Sequence, residues 1–176
     1  MLSKIFWMLA VLVAAFLGYV ALQSPVGTVT RSAILPASPA AIFAQVNELK
    51  KWEAWSPWVK IDPNAKMTYE GPAAGVGAAF GWAGNSDVGE GKLTITESEP
   101  GARVKYKLDF KQPFASTGDA EFTFKPEGSG TNVTWSMTGE WPFLARIMCT
   151  LFRADKMVGD MFEKGLTSLG EVAKSG

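Results

Sequence analysis

The carboxyl-terminal stretch FLARIMCTLFRADKMVGDMFEKGLTSLGEV, Phe143 to Val172, decides how the rest of the chain is read. Leu144, Ile147, Met148, Leu151, Val158, Met161, Phe162, Leu166, Leu169 and Val172 recur at threes and fours, which places them on one face of a helix. Arg146, Arg153, Lys156, Asp160, Glu163 and Lys164 fall mostly elsewhere. A single helix over this stretch would be about 45 Å long. Its apolar stripe is too wide to face water, so it predicts a covering layer, and the large candidate is the run of alternating segments before it.

From Met67 the apolar period switches to two. Val104, Tyr106, Leu108 and Phe110 point one way, and Lys105, Lys107, Asp109 and Lys111 the other. Ala120, Phe122 and Phe124 oppose Asp119, Glu121, Thr123 and Lys125, and Val133, Trp135 and Met137 oppose Asn132, Thr134, Ser136 and Thr138. Shorter strands are predicted at Met67–Glu70, around Ala78, Phe80 and Trp82, and around Leu93 and Ile95, separated by turns at Gly71–Gly75, Asn85–Gly89 and Glu99–Gly101. The pattern predicts an antiparallel sheet with one wet and one apolar face. On the wet face Lys105 and Lys107 are expected to pair with Asp119 and Glu121. Glu70 and Glu90 are placed near the inner edge of the sheet as the carboxylates to watch.

Upstream, Val29–Leu35 reads as a strand stopped by Pro36 and Pro39. Ser38 is suited to cap a short helix, Ala40–Val46, with Pro39 at its first position. A second short helix or turn runs to about Ala54. Trp52, Trp55 and Trp58 follow within one string, broken at Ser56-Pro57, where the proline forces a corner. Three indoles so close cannot all point into one small core, and part of the cluster is expected to wall an open space.

Ile5–Leu22 is an uninterrupted apolar run of 18 residues preceded by Lys4. As a helix it spans about 27 Å, close to the thickness of the hydrocarbon core. It exceeds the usual apolar region of a signal peptide and ends without a good small-residue cleavage site, so it reads as an uncleaved single-pass anchor. The positive-inside rule puts the amino terminus in the cytoplasm and the domain on the extracytoplasmic side. Residues 1–27 are anchor and linker, and 28–173 the folded domain. Ala10, Ala14 and Gly18 recur at fours, a spacing that allows a weak homodimer through the membrane helix.

The 176 residues carry 17 Lys plus Arg against 17 Asp plus Glu, which gives no overall electrostatic reason to seek nucleic acid. The chain has no histidine, which excludes Ser-His-Asp and Cys-His nucleophile systems and most zinc sites. Cys149 is the single cysteine and has no partner for an intrachain disulfide; it is expected to be a small buried residue of the terminal helix. Gly75-Val76-Gly77 and Gly89-Glu90-Gly91 lack the following helix that a phosphate site needs. No catalytic residue, cofactor or metal is assigned.

The order of parts resembles the START-like, polyketide-cyclase-like superfamily of helix-grip proteins, also called SRPBCC. The strings that carry the likeness are Pro39-Ala40-Ala41-Ile42-Phe43; Leu49 with Trp52, Trp55, Ser56 and Pro57; Gly75-Val76-Gly77-Ala78; Gly130-Thr131 with Val133 and Trp135; and Phe162 with Gly165, Leu166 and Leu169. Each is weak alone, but their order is specific, and it covers roughly residues 28 to 172. The resemblance implies an α+β fold, a curved antiparallel sheet wrapped around a long carboxyl-terminal helix, with an apolar cavity between them.

The reading that follows is membrane-tethered binding of an apolar small molecule or lipid in that cavity. Its candidate lining is Trp55, Trp58, Tyr69, Phe80, Trp82, Tyr106, Phe110, Phe122, Trp135, Met137, Met161 and Phe162. Met137, Met148, Met157 and Met161 would supply adaptable walls. Two alternatives stand beside it. A cyclase or dehydrase acting on an apolar substrate requires a buried carboxylate or the Tyr106 hydroxyl to point into the cavity. An interaction module without a ligand requires a filled core and an exposed apolar patch.

Overall fold

The computed structural model describes residues 2–152 and 154–175. In chain order the elements are α1 (Leu2–Leu22), β1 (Val26–Leu35), α2 (Pro39–Asn47), α3 (Trp52–Trp55), α4 (Pro57–Ile61), β2 (Lys66–Glu70), β3 (Ala79–Ala83), β4 (Glu90–Glu99), β5 (Arg103–Gln112), β6 (Ser116–Glu127), β7 (Gly130–Glu140), α5 (Phe143–Phe152) and α6 (Ala154–Ser175). A 3-10 turn at Leu49–Lys51 leads into α3. The strands form one seven-stranded sheet in the order β1-β7-β6-β5-β4-β3-β2. Every neighbouring pair is antiparallel. The architecture is α+β, a curved sheet gripping the terminal helix.

Alternation along the strands builds the core. Leu93 and Ile95 on β4, Val104, Tyr106 and Leu108 on β5, Ala120, Phe122 and Phe124 on β6, and Val133 and Trp135 on β7 are buried on one face. Phe162, Leu166, Leu169 and Ala173 of α6 are buried against them. Ser38 caps α2, its Oγ accepting from the Ala41 amide at 3.2 Å, with Pro39 at the first turn.

The terminal stretch departs from one continuous sheet-facing stripe. α6 meets the sheet along β1: Gly159 lies beside Arg31, Gly165 beside Trp135, and Gly170 beside Leu35 and Pro36. The sheet therefore ends near the start of α6. Leu144, Met148 and Leu151 of α5 project beyond it and are exposed. α5 instead meets the end of α1. Arg146 Nη1 donates to the carbonyls of Gln23 at 2.9 Å and Val20 at 3.2 Å, capping the end of α1, where the Gln23 amide also donates to Val20 at 3.2 Å. Cys149 is half-buried on α5. Arg153 lies outside the described residues.

Two further readings are corrected by register. β1 begins at Val26 and so takes up part of the expected linker. Gly27 permits this because the Trp141 ring covers it, and an added Cβ would sit 2.6 Å from that ring. On the wet face Lys105 does lie opposite Glu121, and Lys107 opposite Asp119. The ammonium groups reach elsewhere: Lys105 bonds Glu97 at 3.1 Å and Lys107 pairs with Asp109 at 3.3 Å. Glu97 is in register with Lys105 from the other side, and Arg103 approaches Glu121 at 3.7 Å.

Register also defines the two ends of the sheet. Val26 faces Glu140, Ala83 faces Glu90, Glu90 faces Gln112, and Phe110 faces Ser116. These strand ends lie together. α1 attaches at the same end, with Gln23–Pro25 between Leu22 and Val26.

Candidate functional site

The inner face and α6 do not close on each other completely. Between them is a cavity of about 310 Å³. One wall is a run of stacked rings, Phe80 on Trp82 at 6.0 Å, with Phe110 edge-on to Trp82 at 5.8 Å. The opposite wall is Trp135 and Phe162, with Trp58 edge-on to both at 5.4 and 6.0 Å. Met137 on β7 and Met67 on β2 also line it.

Of the twelve residues expected at the lining, the structure brings together Trp58, Phe80, Trp82, Phe110, Trp135, Met137 and Phe162 around this space. Trp55, Tyr106 and Phe122 are fully buried in packed core. For Trp55 and Tyr106 the position has a polar cause. Trp52 Nε1 and the Tyr106 hydroxyl both donate to the Val46 carbonyl, at 3.0 and 2.9 Å, and Trp55 Nε1 donates to the Gln45 carbonyl at 3.3 Å. These are carbonyls of the last turn of α2, which lack helical partners, and the aromatic donors satisfy them. The Tyr106 hydroxyl is thereby turned away from the cavity, and burial pushes its pKa well above the usual phenol value.

Tyr69 lies further along the edge strand β2, stacked on Phe80 at 5.4 Å but exposed. Its hydroxyl donates to Glu53 Oε1 at 2.5 Å. Partial burial, and then that carboxylate, push its pKa above the usual range. Met161 is half-buried and does not line the space; Met148 and Met157 are exposed. Glu70 and Glu90 are on the outer face. Lys92 donates to Glu70 at 2.7 Å and holds that carboxyl below the usual range, and Lys111 bonds Glu90 at 2.9 Å. Strand parity puts them there, since Gly91 and Leu93 take the inner positions of β4.

Other lining residues come from two sources. Leu93, Leu108 and Ala120 share the inner parity of the aromatic residues, and Val158 shares the stripe of α6. Val88, Gly89 and Pro113 belong to the β3–β4 and β5–β6 loops, where no period marks them, and Gln112 ends β5 with the parity of Phe110. The first of these loops is pinned: Trp82 Nε1 donates to the Val88 carbonyl at 3.1 Å, and the Asn85 amide donates to Asp62 Oδ2 at 2.8 Å. The polar side chains on the lining are Ser56, Asp87 and Gln112. Ser56 precedes α4 without its side chain capping that helix. Among the described residues no group of three or more His, Cys, Asp or Glu gathers to hold a metal. The arrangement can bury an apolar molecule and offer it very few hydrogen bonds.

A helix-grip domain with an apolar cavity between sheet and helix is thus the class that fold and site define. Residues 26–174 match the family described as polyketide cyclase/dehydrase and lipid transport, and the chain belongs to that family. Among solved structures it is similar to protein MLL2253 from Mesorhizobium loti, with 16% identity over 85% of this chain and 98% of that one, at a TM-score of 0.61. It is also similar to TTHA0849 from Thermus thermophilus, with 19% identity over 85% and 98% and a TM-score of 0.60. The Aha1 dimer from Colwellia psychrerythraea gives 17% identity over 84% and 96% and a TM-score of 0.59. At these identities the likeness is one of fold. No curated protein matches the chain. Family membership supports binding of a hydrophobic ligand.

Proposed function

We propose that this protein is a membrane-tethered binder of an apolar small molecule or lipid, held in the cavity between the sheet and α6. The observation that carries the reading is the cavity itself, about 310 Å³ walled by Trp58, Phe80, Trp82, Phe110, Trp135 and Phe162. That volume is at the lower end of the ligand-site range of about 300–1,000 Å³ and suits a single acyl chain or a small ring system. Affinity would come from apolar burial, about 25 cal/mol per Å² before ordering costs.

The tether is α1. Ser3–Leu22 is long and apolar enough to cross a membrane. Its retention is supported by its last turn being part of the fold: Val20 is fully buried, and the Arg146 guanidinium is held by the Val20 and Gln23 carbonyls. Removal after Leu22 would take the Val20 partner from Arg146, a costly loss at a charged group. Lys4 and the terminal amine favour a cytoplasmic amino terminus and an extracytoplasmic domain. The cyclase reading is weakened by the Tyr106 hydroxyl being engaged with Val46 and by Glu70 and Glu90 facing outward.

The test is titration of the full chain, in detergent, with a pyrene-labelled fatty acid, beside Met137→Trp. Met137 lines the cavity, and the larger ring would fill it. Saturable binding by the wild type that Met137→Trp abolishes supports the reading. Equal binding by both proteins, or none by the wild type, defeats it.

A further inference from the structure

Resting on that reading of α1 as a membrane span, we propose that the α1 end of the domain sits on the bilayer, with α5 embedded in its interface. The cavity opens at that end, so its apolar ligand passes between bilayer and cavity without crossing water.

Reach is the first argument. Only Gln23–Pro25 separate the end of α1 from the start of β1. Three residues span about 10 Å at most when fully extended. The strand ends around Val26 are therefore held at the headgroup layer if α1 crosses the membrane.

Chemistry is the second. Phe143, Leu144, Met148 and Leu151 are 40%, 49%, 46% and 56% exposed. Helical spacing gathers them on one side of α5. The segment FLARIMCTLF carries one charge, Arg146. That guanidinium is directed at the α1 carbonyls and lies 5.4 Å from the Phe143 ring centroid. The outer side of α5 is left without a charge. Single exposed apolar residues are ordinary, but a contiguous set beside a spanning helix marks an interfacial surface.

The cavity lip is the third. Val88 and Gly89, Gln112 and Pro113, and Val158 of α6 line the cavity at this same end. Phe114, next to Pro113, is 47% exposed, and Met157, next to Val158, is 64% exposed. Exposed apolar groups thus flank the lip on the loop side and on the helix side, beside the polar Asp87 and Gln112 of the lining. A bilayer continuous with α1 covers all of them at once.

The experiment uses the full chain in phosphatidylcholine vesicles containing brominated-chain phosphatidylcholine as a contact quencher. In a Cys149→Ser background, Leu12→Cys, Leu144→Cys, Leu151→Cys and Ile34→Cys are each labelled with an environment-sensitive fluorophore. Ile34 is an exposed residue at the opposite end of the sheet. The expected result is quenching at 12, 144 and 151 and none at 34. Quenching at 12 with positions 144 and 151 behaving like 34 overturns the proposal and leaves the span intact. No quenching at 12 defeats the span and the proposal with it. Positions 144 and 151 shielded from water, unquenched, and showing energy transfer between copies would mean that a second protomer covers α5, which also overturns it. The route has its own readout: Leu144→Asp with Leu151→Asp should lose uptake of pyrene-labelled fatty acid from vesicles while keeping its uptake in detergent. Unchanged uptake from vesicles overturns the direct route.

Discussion

Trp135 on β7 and Phe162 on α6 stack face to face, with ring centroids 4.2 Å apart and planes within 1° of parallel. The pair joins sheet to helix and at the same time forms a wall of the cavity. Trp135 is 3% exposed and also touches Trp52, Trp55, Trp58 and Phe122 edge-on or stacked. Trp135→Ala is expected to cost about 3–5 kcal/mol, as for other buried aromatic truncations. Chemical denaturation of the full chain in detergent measures it. A cost under about 1 kcal/mol would show that helix and sheet are joined elsewhere.

Gly165 lets that stack form. A Cβ there would lie 2.7 Å from the Trp135 ring and 3.2 Å from Pro57. Gly165→Ala should push α6 off the sheet and destabilise the protein by about 1–3 kcal/mol, although alanine is the better helix former. A melting temperature at or above that of the wild type would contradict the close approach.

Arg146→Ala should free the α1–α5 junction. Two charge-assisted bonds to the Val20 and Gln23 carbonyls are lost, a destabilisation of about 1.5–3 kcal/mol. Hydrogen exchange should rise at residues 23–27 and in α5 and stay unchanged in β4 and β5. Arg146→Lys should restore part of the protection. Uniform exchange across the domain in Arg146→Ala would mean that the contact is not local.

Alkaline pH provides a fourth check. The Tyr106 phenol is held neutral in the fold by burial, so its folded pKa lies above its unfolded value of about 10. Its contribution is fully present below that unfolded value and is lost as pH rises from there toward the folded pKa, because the unfolded chain then releases a proton that the folded one keeps. Stability should therefore fall as pH rises above about 10. Tyr106→Phe should flatten that fall while lowering stability at neutral pH, where the bond to the Val46 carbonyl is missing. An identical alkaline slope in both proteins would remove Tyr106 from the account.

Much of the fold was legible because its signals are local. Period-two alternation in residues 104–110, 119–125 and 132–138 selects one buried face of a strand from the chain alone, and Ser38-Pro39 marks a helix start. The limit of the sheet was not legible. The apolar stripe of α5 reads like that of α6, and only the tertiary placement of β1 decides that Leu144, Met148 and Leu151 lie past the sheet. The same holds within the site. Trp55, Tyr106 and Phe122 have the inner-facing chemistry of Phe80 and Trp82, but the carbonyls at the end of α2 draw Trp55 and Tyr106 into the core. Val88 and Pro113 reach the cavity from loops, where pattern carries no information about direction. Leu93, Leu108 and Ala120 are legible from parity, since they share the inner face of their strands with the larger rings.

The proposed function requires an apolar molecule to occupy the cavity between sheet and α6. Native mass spectrometry of the full chain, purified from membranes in detergent, tests it most directly when paired with extraction and identification of whatever is released. One apolar species is expected bound per chain, lost in Met137→Trp and retained in Arg146→Lys. A wild-type chain that carries no apolar species, and acquires none when pyrene-labelled fatty acid is added, would contradict it.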